Sequence, residues 1–442
     1  MEKHSPIDYW VIKPMSRFMS NSIASGVVLF VAALAALIMA NSPLSDFYKD
    51  LWQYKFTVGF ENFNISKTLS HWINDGLMAM FFFVIGLELK REIKGGELSN
   101  PKDALLPILA AIGGMVVPAS IYLLFNIGSE TESGWGIPMA TDIAFALGIV
   151  YLLGNKVPVS LKIFLTALAI ADDLGAVLVI AFFYTSQISY PSLMFGVLFL
   201  GILFTANKIG VRSPVFYGII GIGGLWLAFL LSGVHATIAG VLAALAIPAN
   251  VKIDDINFTQ KLKELANSFR KAKKATNGFI SKEQHHIIEH IRDYSKAAQT
   301  PLQQLEHGLH PIVAFIVLPI FAFANTGVEF SGNFSESLTS NVTLGVIFGL
   351  IAGKFIGIVG ITKLTVLFKF AKLPQGATWK QLYGIALLAS VGFTMSLFIT
   401  ELAFTNPMYI VQAKFGILIA SFIGGLSGFI LLNNSKNNLK TE

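Results

Sequence analysis

Two adjacent aspartates, Asp172 and Asp173, interrupt "LTALAIADDLGAVLVIA", a run otherwise apolar enough to cross a bilayer. Counted from Leu161, Asp172 lies about 17 Å along a helix, near the centre of a hydrocarbon core about 30 Å thick, where so short a side chain cannot reach water. Asp173 is rotated from it by about 100°, so the two carboxylates line adjoining faces and one of them points straight into a cavity. Asp142, with Thr141 in "GIPMATDIAFALG", and Lys354 in "LIAGKFIGI" complete a set of polar groups inside apolar runs. A central Asp or Lys costs about 2.5–3.5 kcal/mol on insertion scales, and such groups mark ion or proton pathways; mutual pairing that merely holds a bundle is the plainer alternative. Carboxylates, a hydroxyl and water are oxygen ligands that suit a small hard cation. The carboxylates also take protons, so Na⁺ and H⁺ are expected to compete for Asp172 and Asp173.

The elements that hold these residues follow from composition. Of 442 residues 54% are hydrophobic and only 13% charged, and the mean hydropathy of +0.65 excludes a water-soluble globule of this length. The net charge of +6 falls between apolar runs, which points to a membrane surface and away from nucleic acid. Absence of cysteine excludes disulfides, thiolate metal sites and cysteine nucleophiles. The N-terminal stretch lacks a cleavage pattern, so the first apolar run is expected to be a retained span with an amphipathic lead-in.

Hydropathy predicts an all-α polytopic protein with twelve spans, at 23–40, 73–89, 105–125, 137–153, 161–184, 193–206, 215–231, 234–247, 311–324, 344–367, 382–398 and 415–432. Lys90, Arg91, Lys94, Lys102, Lys156, Lys162, Lys208, Arg212, Lys369, Lys372 and Lys380 all fall in loops on the N-terminal side. The opposite loops "NIGSETESGWG", "TSQISYP", "TGVEFSGNFSESLTSN" and "TELAFTNPM" have no lysine or arginine. Both termini are therefore expected in the cytoplasm. Spans one to eight fill 1–249, with an outward hairpin at about 42–68 in which Phe56 and Val58 pair with Phe63 and Ile65. Residues 250–309 form a basic, helical cytoplasmic insertion with an apolar stripe of Phe258, Leu262, Leu265 and Phe269 and a capping signal at Thr300, and spans nine to twelve fill 310–442.

The fourth span, with Thr141 and Asp142, and the eleventh, with Gly392, Phe393 and Thr394 in "LLASVGFTMSLF", are interrupted at matching places in two triplets of opposite orientation. That pattern predicts inverted-topology repeats and two discontinuous helices crossing near the midplane, with the binding site between half-helix ends.

At this point "INDGLMAMFFFVIGLELKRE", "LSGVHATIAGVLAALAIP", "LEHGLHPIVAFIVLPIFAFANTGV" and "GFTMSLFI", together with the three motifs above, resemble the NhaA family of Na⁺/H⁺ antiporters over most of the chain. The resemblance implies an electrogenic secondary antiporter of a bacterial inner membrane. It would extrude Na⁺ or Li⁺ against protons for sodium and pH homeostasis, with no cofactor and no enzymatic activity. Asp173 would be the main cation and proton carboxylate, with Asp172 beside it and paired to Lys354. Asp142 would offset the positive half-helix ends and Lys354 the negative ones, with Thr141 either a ligand or a residue of the bend. Activation at alkaline pH would involve Glu88, Arg91, Glu92, Glu306, His307 and His310, for which ordinary interfacial charge is the alternative. His235 would tune the response or pack helices, and Asp75 would face the vestibule or make a polar contact. The hairpin, residues 56–65, would join a homodimer.

A Na⁺-coupled symporter of a small organic solute is the alternative function, although no core arginine stands ready for an anion. An aspartic protease would need its two aspartates on different helices, and a channel usually builds its ring from several subunits. His286-Ile287-Ile288-Glu289-His290 formally matches the H-x-x-E-H peptidase pattern, for which a solvated helix face is sufficient explanation.

Overall fold

The computed structural model describes residues 22–60, 63–185, 188–273, 279–330 and 334–435. The amphipathic lead-in and the termini assigned to the cytoplasm lie outside these residues. Helix α1 (Ser22–Ala40) leads to α2 (Ser45–Gln53) and to a two-stranded antiparallel sheet, β1 (Lys55–Phe60) and β2 (Phe63–Thr68). Of the expected partners Val58 is opposite Ile65, while Phe56 is opposite Lys67 and Phe63 is opposite Phe60. Gly59 and Phe60 remain in the strand, opposite Asn64 and Phe63.

Helix α3 (Leu69–Gly95) follows, then α4 (Pro101–Asn126). A 3-10 segment, Glu132–Met139, and α5 (Ile143–Leu152) flank a break, and α6 (Val159–Phe183) comes next. After α7 (Tyr190–Ile209) come α8 (Pro214–Leu230) and α9 (Ala236–Ala246). The 250–309 segment supplies α10 (Asp255–Lys271), α11 (Lys282–Ala298) and the start of α12 (Pro301–Asn325). Last are α13 (Asn341–Leu367), α14 (Trp379–Leu388), α15 (Phe393–Ala403) and α16 (Pro407–Asn433).

Among the described residues nine helices are long and apolar enough to span a bilayer, and α14 with α15, bent by 44°, makes a tenth. Helices α8 and α9 are apolar but shorter. With eleven residues, α9 is about 16 Å long. It packs closely on α3: Gly240 lies against the backbone of Ala79 and Phe83, and Gly86 against Val241 and Ala244. A side chain at either glycine would meet the opposing helix, which is how small residues let membrane helices approach.

The expected stripe of α10 is half-buried at Phe258, Leu262, Leu265 and Phe269. Thr300 and Gln303 form a capping box at the start of α12, and that helix continues through a π-helical turn at Val313–Val317 into an apolar stretch. One apolar core gathers Phe82, Phe321, Phe398 and Leu350, and includes Ala176, Val177 and Ile180 of α6. A second gathers Leu161, Leu165 and Leu168 of α6 with Ile358, Leu382 and Ile385. The aspartates occupy the part of α6 between the two.

Candidate functional site

Helix α6 buries both aspartates, Asp172 at 1% and Asp173 at 2% exposure. Lys354 is wholly buried and follows a π-helical turn, Gly349–Gly353, inside α13. Such a turn inserts an extra residue and re-aims the side chains beyond it. Helices α4 and α13 cross backbone to backbone where Gly113 faces Gly357 and Pro118 faces Gly353, while Gly114 borders the stem of Lys354. This close approach seats the ammonium inside the bundle. Lys354 Nζ donates to Asp172 Oδ2 at 2.5 Å.

The two breaks meet each other. The backbone leaves the first 3-10 segment at Ala140, and Asp142 caps α5 by accepting from Phe145 N–H at 3.0 Å. Its other oxygen accepts Thr394 N–H at 3.1 Å and the Thr394 hydroxyl at 2.6 Å, in the first turn of α15. One carboxylate thus serves the N-terminal ends of two half-helices, where unpaired N–H groups concentrate positive potential. In return, Thr141 Oγ1 donates to Ala389 O at 2.9 Å, Asp142 N–H to Val391 O at 2.7 Å, and Ser396 Oγ to Ile137 O at 2.8 Å.

At the negative ends the hydrogen bonds come from short hydroxyls. The hydroxyls of Thr141 and Ser396 bond the carbonyls at the breaks, and the hydrogen bond of Lys354 goes to Asp172. A short hydroxyl next to a break reaches these carbonyls locally, whereas Lys354 arrives from another helix. Sequence reasoning overlooked Ser396 and Ser421, whose hydroxyl accepts Phe393 N–H at 3.2 Å. Ser396 carried a signal, a hydroxyl in the first turn after the break, whereas Ser421 stands midway along α16 and carried none.

Asp172 Oδ1 and Asp173 Oδ1 are buried without a hydrogen-bond partner among the described residues. The charged groups acting on Asp173 are Asp172, Asp142, Glu88 and Lys354, and Thr141 adjoins Asp172. Orphaned carboxylate oxygens beside a hydroxyl are suitable donors for a small hard cation and equally for a proton.

A second cluster forms where α3 meets the start of α12. Arg91 Nη2 is 2.9 Å from Glu92 Oε1, and Arg91 Nε is 3.3 Å from Glu306 Oε1. Glu92 also accepts Glu97 N–H at 2.9 Å, while Glu306 Oε2 is buried with no partner among the described residues. His307 and His310 adjoin this cluster and are exposed. Glu88 interacts with the cluster on one side and with Asp173 on the other. Six of the residues singled out in the sequence are thus brought together.

His235 is not among them: its Nε2 meets Tyr184 O at 2.6 Å, at the end of α6 remote from the insertion. Asp75 is half-buried near His71 and His235, and its carbonyl accepts the Trp226 indole at 2.9 Å. No three His, Cys, Asp or Glu side chains converge as a metal site among the described residues, the H-x-x-E-H stretch included.

Residues 16–432 match the family model described as Na⁺/H⁺ antiporter 1. A Na⁺/H⁺ antiporter NhaA of Oleidesulfovibrio alaskensis is 49% identical over 97% of this chain and 95% of its own length. Na⁺/H⁺ antiporter NhaA 1 of Saccharophagus degradans is 45% identical over 98% and 95% respectively. An NhaA antiporter of Sulfurimonas denitrificans is 46% identical over 96% and 95%.

Proposed function

The chain belongs to the NhaA family of Na⁺/H⁺ antiporters, and on that premise we propose how its residues exchange the two ions. It is a multi-pass membrane transporter of Na⁺ and protons, not an enzyme, and the relatives lend no support to a symporter.

Asp173 is the exchanging carboxylate. The observation that carries this reading is its buried, unpartnered Oδ1 beside a second aspartate. A buried carboxylate without a counter-charge is strongly disfavoured, so it carries either a proton or a cation. When Na⁺ enters, the orphaned oxygens of Asp172 and Asp173, with Thr141 Oγ1 and water, supply hard ligands. Lys354 then yields Asp172, and it reclaims that partner when protons return. Asp142 keeps the crossing of the half-helices assembled meanwhile. Exchange of Na⁺ or Li⁺ for protons is electrogenic, so a membrane potential drives the cycle with about 2.3 kcal/mol per charge per 100 mV.

The same reading takes the chain as twelve spans with inverted repeats in a bacterial inner membrane, both termini inside and 250–309 as a cytoplasmic insertion. The lysine and arginine asymmetry of the loops supports the orientation. The hairpin, residues 56–65, serves as a homodimer contact, and Glu88, Arg91, Glu92, Glu306, His307 and His310 adjust exchange to pH.

The test is ΔpH dequenching in everted vesicles of an antiporter-deficient strain, adding Na⁺, Li⁺, K⁺ or choline, with Asp173→Asn in parallel. Dequenching by Na⁺ and Li⁺ alone, lost in a variant that is inserted and folded, is the expected result. Undiminished exchange in Asp173→Asn would overturn the assignment.

A further inference from the structure

Antiport leaves the stretch "HHIIEH" in the 250–309 segment without a use. Helix α11 begins with a capping box in which Ser281 and Gln284 exchange side-chain and backbone hydrogen bonds. Residues four apart in this regular helix stand one above the other on a single face. His286 and His290 are such a pair, and both are exposed. Their rings lie 4.4 Å apart at 73°, and the two Nε2 atoms are separated by 3.1 Å. By the same spacing, Glu283 and Asp293 fall on this face, three residues to either side, and give it negative charge. Glu289 is engaged elsewhere, 3.5 Å from His285 and 3.9 Å from Arg292.

The nitrogen separation is chemically specific. Two imidazoles on one ion at about 2.0–2.1 Å each stand about 3.3 Å apart in a tetrahedral shell and about 2.9 Å apart in a square-planar one. The observed 3.1 Å lies between these values, so chelation leaves the nitrogen separation nearly unchanged and requires only that the two exposed rings turn to aim both lone pairs at one ion. We propose that His286 and His290 form a two-imidazole site for a borderline divalent transition-metal ion, Zn²⁺, Ni²⁺ or Cu²⁺, with water in the remaining positions.

In the metal-free protein the contact is an N–H···N hydrogen bond, one ring donating and the other accepting. Binding moves the donor ring's proton from Nε2 to Nδ1, leaving both Nε2 lone pairs on the ion. Because no third His, Cys, Asp or Glu converges here among the described residues, the ion keeps open positions and exchanges with solvent, unlike a closed structural site. Imidazole nitrogen also separates this site from the aspartate pair, since Na⁺ and Li⁺ prefer oxygen whereas borderline ions prefer nitrogen. The two sites therefore do not compete for one ion.

The experiment uses the full chain in detergent, without an affinity tag, titrated calorimetrically with Zn²⁺ or Ni²⁺. Electron paramagnetic resonance of added Cu²⁺ counts the coordinated nitrogens. The expected result is one ion per chain, with two nitrogens on Cu²⁺. Affinity should fall by about tenfold or more in His286→Ala and in His290→Ala, and be unchanged in His285→Ala. Circular dichroism establishes that α11 remains helical in each variant. Absence of saturable binding, unchanged affinity in His286→Ala, or an equal loss in His285→Ala would overturn the proposal.

Discussion

The Asp142 carboxylate accepts both the backbone N–H and the hydroxyl of Thr394, 252 residues further along the chain. It also caps α5 through Phe145 N–H. Two helix ends that would otherwise present orphan donors to a low-dielectric interior are thereby joined through one side chain, and the crossing becomes a single unit.

Removing the hydroxyl tests that junction. Thr394→Val deletes a hydrogen bond to a charged group, worth about 1.5–3 kcal/mol, while Thr394→Ser retains it. Thermal unfolding in detergent should show Thr394→Val clearly destabilised and Thr394→Ser close to the parent. Equal stability of the two variants would mean that the hydroxyl contact contributes nothing.

Lys354 and Asp172 form an ion pair with side chains at 0% and 1% exposure. Breaking a buried pair from one side costs about 3–5 kcal/mol because the other charge is stranded. Lys354→Ala should therefore be strongly destabilised, and Asp172→Asn in the same chain should recover much of the loss. A double-mutant cycle measures the coupling, and strictly additive effects would rule the pairing out.

The close crossing of α4 and α13 gives a sharper contrast. A Cβ at Gly357 would run into the carbonyl of Gly113, whereas one at Gly360 meets nothing within 4 Å. Gly357→Ala should cost about 1–3 kcal/mol through overpacking and weaken Na⁺ affinity by displacing Lys354. Gly360→Ala should do neither, as unfolding and Na⁺-dependent exchange would register.

Outside the spans, Tyr48 of α2 donates its hydroxyl to Phe323 O at 2.6 Å, and burial pushes its pKa up from 10 to about 12. A folded value above the unfolded one means that the folded state holds the proton more tightly. The associated stability is complete below pH 10 and is lost as pH rises through about 12. At about 1.4 kcal/mol per unit the loss is on the order of 3 kcal/mol. Tyr48→Phe should flatten the stability profile between pH 10 and 12, and an unchanged decline in that window would refute the assignment.

Arg91 and Glu306 offer a test of pH adjustment, being joined at 3.3 Å. Glu306→Gln fixes the side chain in the neutral condition that the wild type reaches only by taking up a proton. Half-maximal exchange should then require a higher pH, with little change in maximal rate. An unaltered pH profile would remove Glu306 from the response.

The sequence by itself determined that Asp172 and Asp173 stand mid-helix in an apolar span, that the chain is interrupted near Asp142 and near Gly392, and that Thr300 opens a helix. Hydropathy, helical spacing and capping act over a few residues and can be read locally. Val58 and Ile65 were likewise legible as strand residues that face each other, but the partners of Phe56 and Phe63 depended on the register of the pair. Only the tertiary structure decided that Thr394 meets Asp142, that Lys354 meets Asp172 across 182 residues, and that α9 packs closely on α3. Those relationships arise from how closely helices cross, which glycines such as Gly113, Gly240 and Gly357 permit. A glycine in sequence does not say which backbone will approach it, so the partner of a buried charge is fixed by packing and not by local pattern.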